Sequence, residues 1–490
     1  MNIEENSEMT HPKDNAFWAE ATTIEHTSSV GKMTGLEAHG VAVFRGIPYA
    51  EAPTGPLRFA APERRAHFAE PFDATRWGAT PLRKSPGFDI PEPVVPGDDI
   101  LNLNVFAPAH ALNGGAALPV LVWIHGGGYV SGSSIGAWYD GRQFASEDVV
   151  VVSISYRLGL DGFGHIEGAP DNRAVLDWIC ALEWIQDAIS SFGGDPANVT
   201  VSGQSAGGGA VLCLLATRAA RGLFKRAWVL SGVLESITVD KAALATAGFA
   251  EAVGVSPDIA GFASVTDTAL QDALLATGAL LTFPPVVGEE LFPHGISAGI
   301  AAESGDVALV IGATADETLW TPGETALDRS DVVAQFEAEN VPPDEAVDAV
   351  EQIGSLHELL PGRLITERLF RSVVPAVLSE RCTAAAPTWV YDYRWAPEKS
   401  GLALHCNEIP VFFGLPEAET VTPVLGTVPA EVAASFHGSA LSFVRGEVLD
   451  WMPAESGVLK MATGACTVGD ARSTPSDAFS ASERLAALFH

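Results

Sequence analysis

The chain has 490 residues, of which 47% are apolar and 18% charged, and its 61 Asp plus Glu against 28 Lys plus Arg give a formal net charge of -33. That is enough apolar material for a large core and excludes a mostly disordered chain. The negative surface repels phosphate backbones and anionic lipid headgroups, so neither nucleic acid nor a membrane is an expected partner.

Residues 1–20 are polar and acidic, lack a basic-then-apolar signal pattern, and read as a flexible tail ahead of one domain over 21–490. No stretch reaches the ~18 uninterrupted apolar residues of a membrane span. The five cysteines at 180, 213, 382, 406 and 466 show no CxxC spacing. That argues against a disulfide framework and fits a reducing compartment, so a soluble, cytoplasmic protein is expected.

The next hundred residues hold short strand-like runs such as Gly40-Val41-Ala42-Val43-Phe44 and Leu101–Phe106. The runs Pro119–Ile124 and Val149–Ile154 are β-branched, lack polar alternation and end in glycine or polar loops, the mark of central strands covered on both faces. The spacing of Val175, Ile179, Leu182, Ile185 and Ile189 predicts a helix over 171–191. A turn at Gly193-Gly194-Asp195-Pro196, a strand at 199–202, a helix from Ala206 and a strand at Ala227–Leu230 follow. This alternation predicts an α/β fold, a mostly parallel sheet wrapped by helices. Beyond Ser231, mainly helical insertions are expected at 235–300 and 320–385, with strands at Val307–Ile311 and Thr388–Tyr391.

The pattern Gly-x-Ser-x-Gly occurs three times, around Ser134, Ser205 and Ser297. A nucleophile on this motif needs a strand before it and a helix after it, so that the hydroxyl stands exposed on a sharp turn. Only Gly203-Gln204-Ser205-Ala206-Gly207 meets that condition. The other two matches are decoys, one behind a glycine loop and one behind a segment that is no buried strand. His125-Gly126-Gly127-Gly128 directly follows the strand at 119–124. Its backbone N–H groups, at Gly127 and Gly128, together with that of Ala206, form a candidate oxyanion hole.

In such a fold the chain order is serine, acid, histidine. Histidines after Ser205 stand at 294, 357, 405, 437 and 490. His405 is the candidate base, because it lies in a loop beyond the strand around 388–393, whereas His437 reads as a packed or surface helix residue. The acid should follow the strand at 307–311, where Asp316 and Glu317 both qualify. Phe283, Trp320, Phe412 and Phe413 are candidate pocket walls, though the same settings suit core packing equally. No cluster of His, Cys or carboxylates has metal-ligand spacing, so neither metal nor cofactor is expected.

Several longer segments now point to a family. Phe44–Pro53, Gly55–Phe59, Asp98–Val105, Tyr156-Arg157-Leu158-Gly159, Phe192–Pro196 and Arg221–Phe224 resemble signatures of the type-B carboxylesterases, α/β-hydrolases that include bacterial nitrobenzyl-type esterases and the cholinesterases. Ile100 stands where the extracellular relatives often have a disulfide cysteine, and Cys406 where a glycine commonly follows the catalytic histidine. The resemblance implies Glu317 rather than Asp316 as the acid. It also implies a structural ion pair of Arg157 with Asp177 and a helix-walled gorge. Ser231 is a candidate hydrogen-bonder to the acid. The implied activity is hydrolysis of small to medium apolar carboxylic esters through an acyl-enzyme, with carbamates or amides as alternative substrates. A non-catalytic binding protein is disfavoured because all three triad positions are filled. Monomer and dimer both remain open.

Overall fold

The β-branched runs near residues 120 and 150 form neighbouring strands in the middle of one large sheet. A computed structural model describes residues 16–65, 67–81, 90–277, 281–318 and 360–449, with 451, 453, 454 and 479. The strands are β1 (Thr22–Ser28), β2 (Gly31–Ala38), β3 (Val41–Pro48), β4 (Phe72–Asp73), β5 (Asn102–Pro108), β6 (Leu118–Ile124), β7 (Val150–Ile154), β8 (Gly194–Gln204) and β9 (Arg226–Leu230). They continue with β10 (Ile237–Thr238), β11 (Val286–Val287), β12 (Ala308–Thr314) and β13 (Thr388–Tyr393). Eleven of them make one sheet in the order β1-β2-β3-β5-β7-β6-β8-β9-β12-β13, with β4 beside β2, while β10 and β11 pair separately. The neighbours from β1 through β5 to β7 are antiparallel, and those from β7 through β6 to β13 are parallel.

Period-two alternation divides each central strand between two cores. Val120, Val122 and Ile124 of β6 join one apolar cluster with Val229 and Ile311. Leu121 and Trp123 join the other, with Trp228 and Val310. Helices Arg173–Ala188 and Ala206–Ala216 cover the first face, and helix Ala430–Arg445 covers the second. Both faces are therefore dry, which is why these strands read as continuous apolar runs. The predicted helix spacing holds: Val175, Ile179, Leu182, Ile185 and Ile189 are all buried.

Three expectations are corrected. Trp18, within the segment expected to be a flexible tail, is only 3% exposed, and its indole N–H donates to Asp140 at 2.9 Å. The turn ends at Gly193 (φ 82), and β8 already begins at Gly194. Its Asp195 side chain accepts the Ala197 N–H, and the register with β6 shifts between Leu118 and Val120, so the segment is an irregular strand end. Gly312 lies inside β12, which runs on to Thr314. The first insertion contains the helices Val239–Val253, Ile259–Ala263, Asp267–Ala276 and Ile296–Glu303. Of the second, the described part is helical at Leu360–Ile365, Thr366–Arg371 and Val373–Glu380. No described helix is long and apolar enough to cross a membrane.

The sheet order sets where a site can form. The connection from β6 goes to β7 on one side, and β8 then returns to the other side of β6. Such a switch leaves a crevice at the carboxyl ends of β6 and β8, where open α/β sheets bind ligands.

A buried ion pair fastens the loop after β7 to helix Arg173–Ala188. Arg157 donates to Asp177 from Nε at 2.9 Å, from Nη2 at 2.7 Å and from its backbone N–H at 3.1 Å, with both side chains at most 1% exposed. Its Nη1 donates to the Ala60 carbonyl at 2.6 Å. Removing one partner leaves a buried charge uncompensated, so Asp177→Asn is expected to lower stability by about 3–5 kcal/mol in urea unfolding. A loss below about 1 kcal/mol would mean that the carbonyls around Arg157 suffice without the carboxylate.

Candidate active site

Ser205 joins the end of β8 to the start of helix Ala206–Ala216 with φ 60 and ψ -125. A residue with a side chain is rarely found there, and the conformation costs of order 1–3 kcal/mol unless its surroundings enforce it. They do. A Cβ at Gly207 would lie 2.1 Å from the Ile124 carbonyl oxygen, and one at Gly203 would lie 2.4 Å from the Gly207 carbonyl oxygen. Only glycine at both places lets strand and helix approach this closely. The Ser205 N–H donates to the Leu230 carbonyl at 3.0 Å, which ties the turn to β9. The decoys differ as expected. Ser134 is buried against Asn104 in a loop, and Ser297 is the second residue of a helix.

Ser205 opens into a cavity of about 330 Å³ that also holds Gly127, Gly128, Ala206 and His405. The glycine loop is fixed from outside. The Tyr156 hydroxyl donates to the His125 carbonyl at 2.8 Å, and the N–H groups of Val130 and Ser131 donate to the Gly127 carbonyl. Gly127 has φ 107, and a Cβ there would sit 2.3 Å from the Ser131 carbonyl oxygen. The backbone N–H groups of Gly127, Gly128 and Ala206 donate to no acceptor among the described residues. Three N–H groups beside one serine are suited to an oxyanion.

The acid and the histidine are brought together by main chain. Beyond the paired ends of β12 and β13, Ala315 N–H donates to the Tyr393 carbonyl, Asp316 N–H to that of Ala403 and His405 N–H to that of Glu317. Glu317 is fully buried; its Oε1 accepts the Thr314 N–H at 2.8 Å and its Oε2 meets His405 Nδ1 at 2.5 Å. Asp316 turns away from the ring, and its Oδ2 accepts the Ala403 N–H at 2.9 Å. Of the other histidines, His294 is exposed and His437 is bonded to the Phe412 carbonyl and Glu147, while His357 and His490 lie outside the described residues. Ser231 donates to Glu408 at 3.1 Å and not to Glu317, a correction that follows from Glu408 lying buried between the two loops.

Burial disfavours the His405 imidazolium, but the Cys406 sulfur and the Glu317 carboxylate beside the ring outweigh it and hold the imidazole well above its ordinary range. Burial also raises the Cys406 thiol, so the sulfur contributes only where it is ionised, and below that the Glu317 contact at Nδ1 carries the direction of the shift. Burial, reinforced by Glu317, pushes Glu408 up to about 7.

The wall residues are not the expected ones. Phe412 and Phe413 belong to the second core, where they pack against Trp123 and Phe144. They follow His405 on a short helix whose buried side meets the sheet. Phe283 packs edge-on against Phe249, and Trp320 lies outside the described residues. The cavity is instead lined by Trp123, Tyr139, Leu274, Leu281, Leu369 and Phe370, and by Gln204 and Cys406 beside the histidine. The two leucines at 274 and 281 come from the first insertion, Leu369 and Phe370 from the second. Phe370 rests on the His405 ring with centroids 4.5 Å apart, a contact that no local sequence pattern announces.

A model of the carboxylesterase family matches residues 21–353. The para-nitrobenzyl esterase of Bacillus subtilis is 34% identical over 79% of this chain and 82% of its own length. The phenmedipham hydrolase of Pseudarthrobacter oxydans is 31% identical over 86% and 90%. Among solved structures, a carboxylesterase of Geobacillus stearothermophilus superposes with a TM-score of 0.81 at 28% identity, covering 95% of this chain and 100% of the other. With its parallel sheet, its helical cover and this likeness over most of its length, the chain has the α/β-hydrolase fold and belongs to the carboxylesterase family.

Proposed function

We propose that the chain is a serine carboxylesterase in which Ser205 is the nucleophile, His405 the general base and Glu317 the acid that orients it. The observation that carries this reading is the convergence on one cavity of Ser205, the Glu317-bonded His405 and three N–H groups without a described acceptor. His405 Nε2 takes the Ser205 proton as the oxygen attacks the ester carbonyl. The N–H groups of Gly127, Gly128 and Ala206 receive the developing oxyanion. The imidazolium, stabilised by Glu317, then protonates the leaving alcohol, and an acyl-serine remains. Water, deprotonated by the same ring, attacks the acyl carbon and frees the carboxylic acid and Ser205. The mostly apolar walls, with Glu92 and no Lys or Arg among the described lining residues, favour small to medium apolar esters without a negative charge. Rates on p-nitrophenyl esters of graded chain length, beside aryl carbamates and anilides, test this reading. The expected order is ester first, and a faster carbamate would make carbamate hydrolysis the better reading.

Ser205→Ala is expected to lower kcat by ~10⁴–10⁶ in a folded protein, whereas Ser134→Ala and Ser297→Ala keep most activity. Active-site titration with a fluorophosphonate should label Ser205 alone; labelling of either decoy would contradict the assignment.

The acid has its own signature. Glu317→Gln removes the charge that stabilises the imidazolium and is expected to lower kcat by about 10⁴, while Asp316→Asn, whose side chain meets the Ala403 N–H and Arg363 rather than the ring, costs far less. His405 acts as a base only when neutral, so activity falls as pH drops through its pKa. Because that pKa is raised, the acid limb of kcat/KM should lie above ~6.5 in the wild type and move down in Glu317→Gln. A wild-type limb centred below ~6.5, or a greater loss from Asp316→Asn than from Glu317→Gln, would reassign the acid.

A further inference from the structure

Gln204 ends β8, and its side chain lines the cavity beside Ser205. Its carboxamide nitrogen is 3.3 Å from Nδ1 and 3.3 Å from Nε2 of His405. The two ring nitrogens are joined through the single carbon Cε1. An atom equally far from both lies either beyond that carbon in the ring plane or over a ring face. In the plane, this distance would drive it into Cε1, so the amide stands over the face. There it leaves the Nδ1 contact with Glu317 in place.

The amide has an anchor of its own. The Cys406 thiol donates to Gln204 Oε1 at 3.4 Å, so the oxygen end is taken and the nitrogen end faces the ring. Cys406 holds φ 71, a backbone conformation that glycine adopts freely and a residue with a Cβ does not. The thiol is thus kept at a position where the backbone favours its absence.

We propose that Gln204 is a positioning residue for the hydrolysis described above: its carboxamide, aimed by the Cys406 thiol, covers one face of the His405 imidazole and keeps the ring edge-on between Glu317 and Ser205. The proposal rests on the reading of Ser205 as nucleophile and His405 as base. A neutral amide also fills this place without adding charge to a ring that already has the Glu317 carboxylate at Nδ1, the protonated Cys406 thiol beside it and the buried Glu408 nearby.

The test compares Gln204→Glu, Gln204→Leu, Cys406→Ala and the double variant Gln204→Leu/Cys406→Ala on a p-nitrophenyl ester. It uses kcat, KM and pH profiles, with fluorophosphonate labelling of Ser205 alongside. Gln204→Glu sets a carboxylate against the imidazolium and should raise the acid limb by about one pH unit. Gln204→Leu should lower kcat about 10–100-fold with KM changed less than about twofold, as expected for lost orientation and not lost binding. Cys406→Ala should lower kcat less, and should add little to Gln204→Leu, because the thiol acts through the amide. An unmoved acid limb in Gln204→Glu, or a kcat for Gln204→Leu within about twofold of wild type, with Ser205 still labelled, would overturn the proposal. Should Gln204→Leu not fold, the nearly isosteric Gln204→Glu decides through the acid limb. Failure of wild-type Ser205 to react with the fluorophosphonate would instead overturn the esterase reading on which the proposal stands.

Discussion

The backbone of Ser205 is the constraint around which the centre of the molecule is organised. Its φ of 60 is stable only because β6, β8 and β9 and the helix Ala206–Ala216 close on it at once. Gly207 lies against the Ile124 carbonyl, Gly208 against Gly232, and the Ser205 N–H against the Leu230 carbonyl. Neither glycine contact leaves room for a side chain. The same contact that strains the serine places the glycine loop after Ile124 beside it, because the helix start and the end of β6 are the surfaces that touch. Strain, nucleophile exposure and the neighbouring N–H groups are therefore one structural decision.

The histidine is placed by a different device. It lies in a long connection after β13, where loop entropy would blur its position. The strand pair β12–β13 does not stop at Thr314 and Tyr393 but passes into three more main-chain hydrogen bonds that end at His405 and Glu317. Asp316 adds a side-chain bond to Ala403 on the same stretch. The carboxylate that does not meet the ring thus helps to hold the loop that carries it. The two adjacent acidic residues divide the work at the bend that follows β12, Asp316 meeting Ala403 and Glu317 meeting His405.

Much of this was legible in the sequence, for reasons that also mark where legibility ends. Val120–Ile124 and Val150–Ile154 announce central strands because covered strands contain no polar alternation. Ser205 separates from Ser134 and Ser297 because a strand-to-helix context can be read locally. The acid could not be chosen locally, since Asp316 and Glu317 both follow the strand, and only the family resemblance favoured Glu317. The strand expected over 307–311 continues through Gly312, and glycine is there because a Cβ would lie 2.3 Å from the Tyr391 carbonyl oxygen of the neighbouring strand. Phe412 and Phe413 were misread because an apolar ring near the histidine satisfies a core and a cavity equally well. Which one it fills depends on helix Ala430–Arg445, from which Phe436 meets Phe412. Trp18 lay within polar, acidic sequence whose composition hid a single anchoring indole.

Two buried glutamates lie near one imidazole, and their surroundings give them different roles. Glu317 receives a backbone N–H from Thr314 and faces His405 Nδ1, so both of its oxygens are engaged. Glu408 receives the Ser231 hydroxyl on one oxygen, and its other oxygen has no partner among the described residues. Burial of a carboxylate favours its neutral form, and the Ser231 hydroxyl and the backbone N–H of Glu408 itself offset that only in part. That is the sense in which Glu408 is pushed up to about 7, with the charge of Glu317 adding to the effect of burial. The Glu317 carboxylate meets Nδ1, away from the Nε2 that takes the serine proton, and there it stabilises an imidazolium without competing for the serine hydroxyl. Geometry sets the direction of the ring's polarity: Glu317 bonds the ring at Nδ1, whereas Glu408 takes the Ser231 hydroxyl.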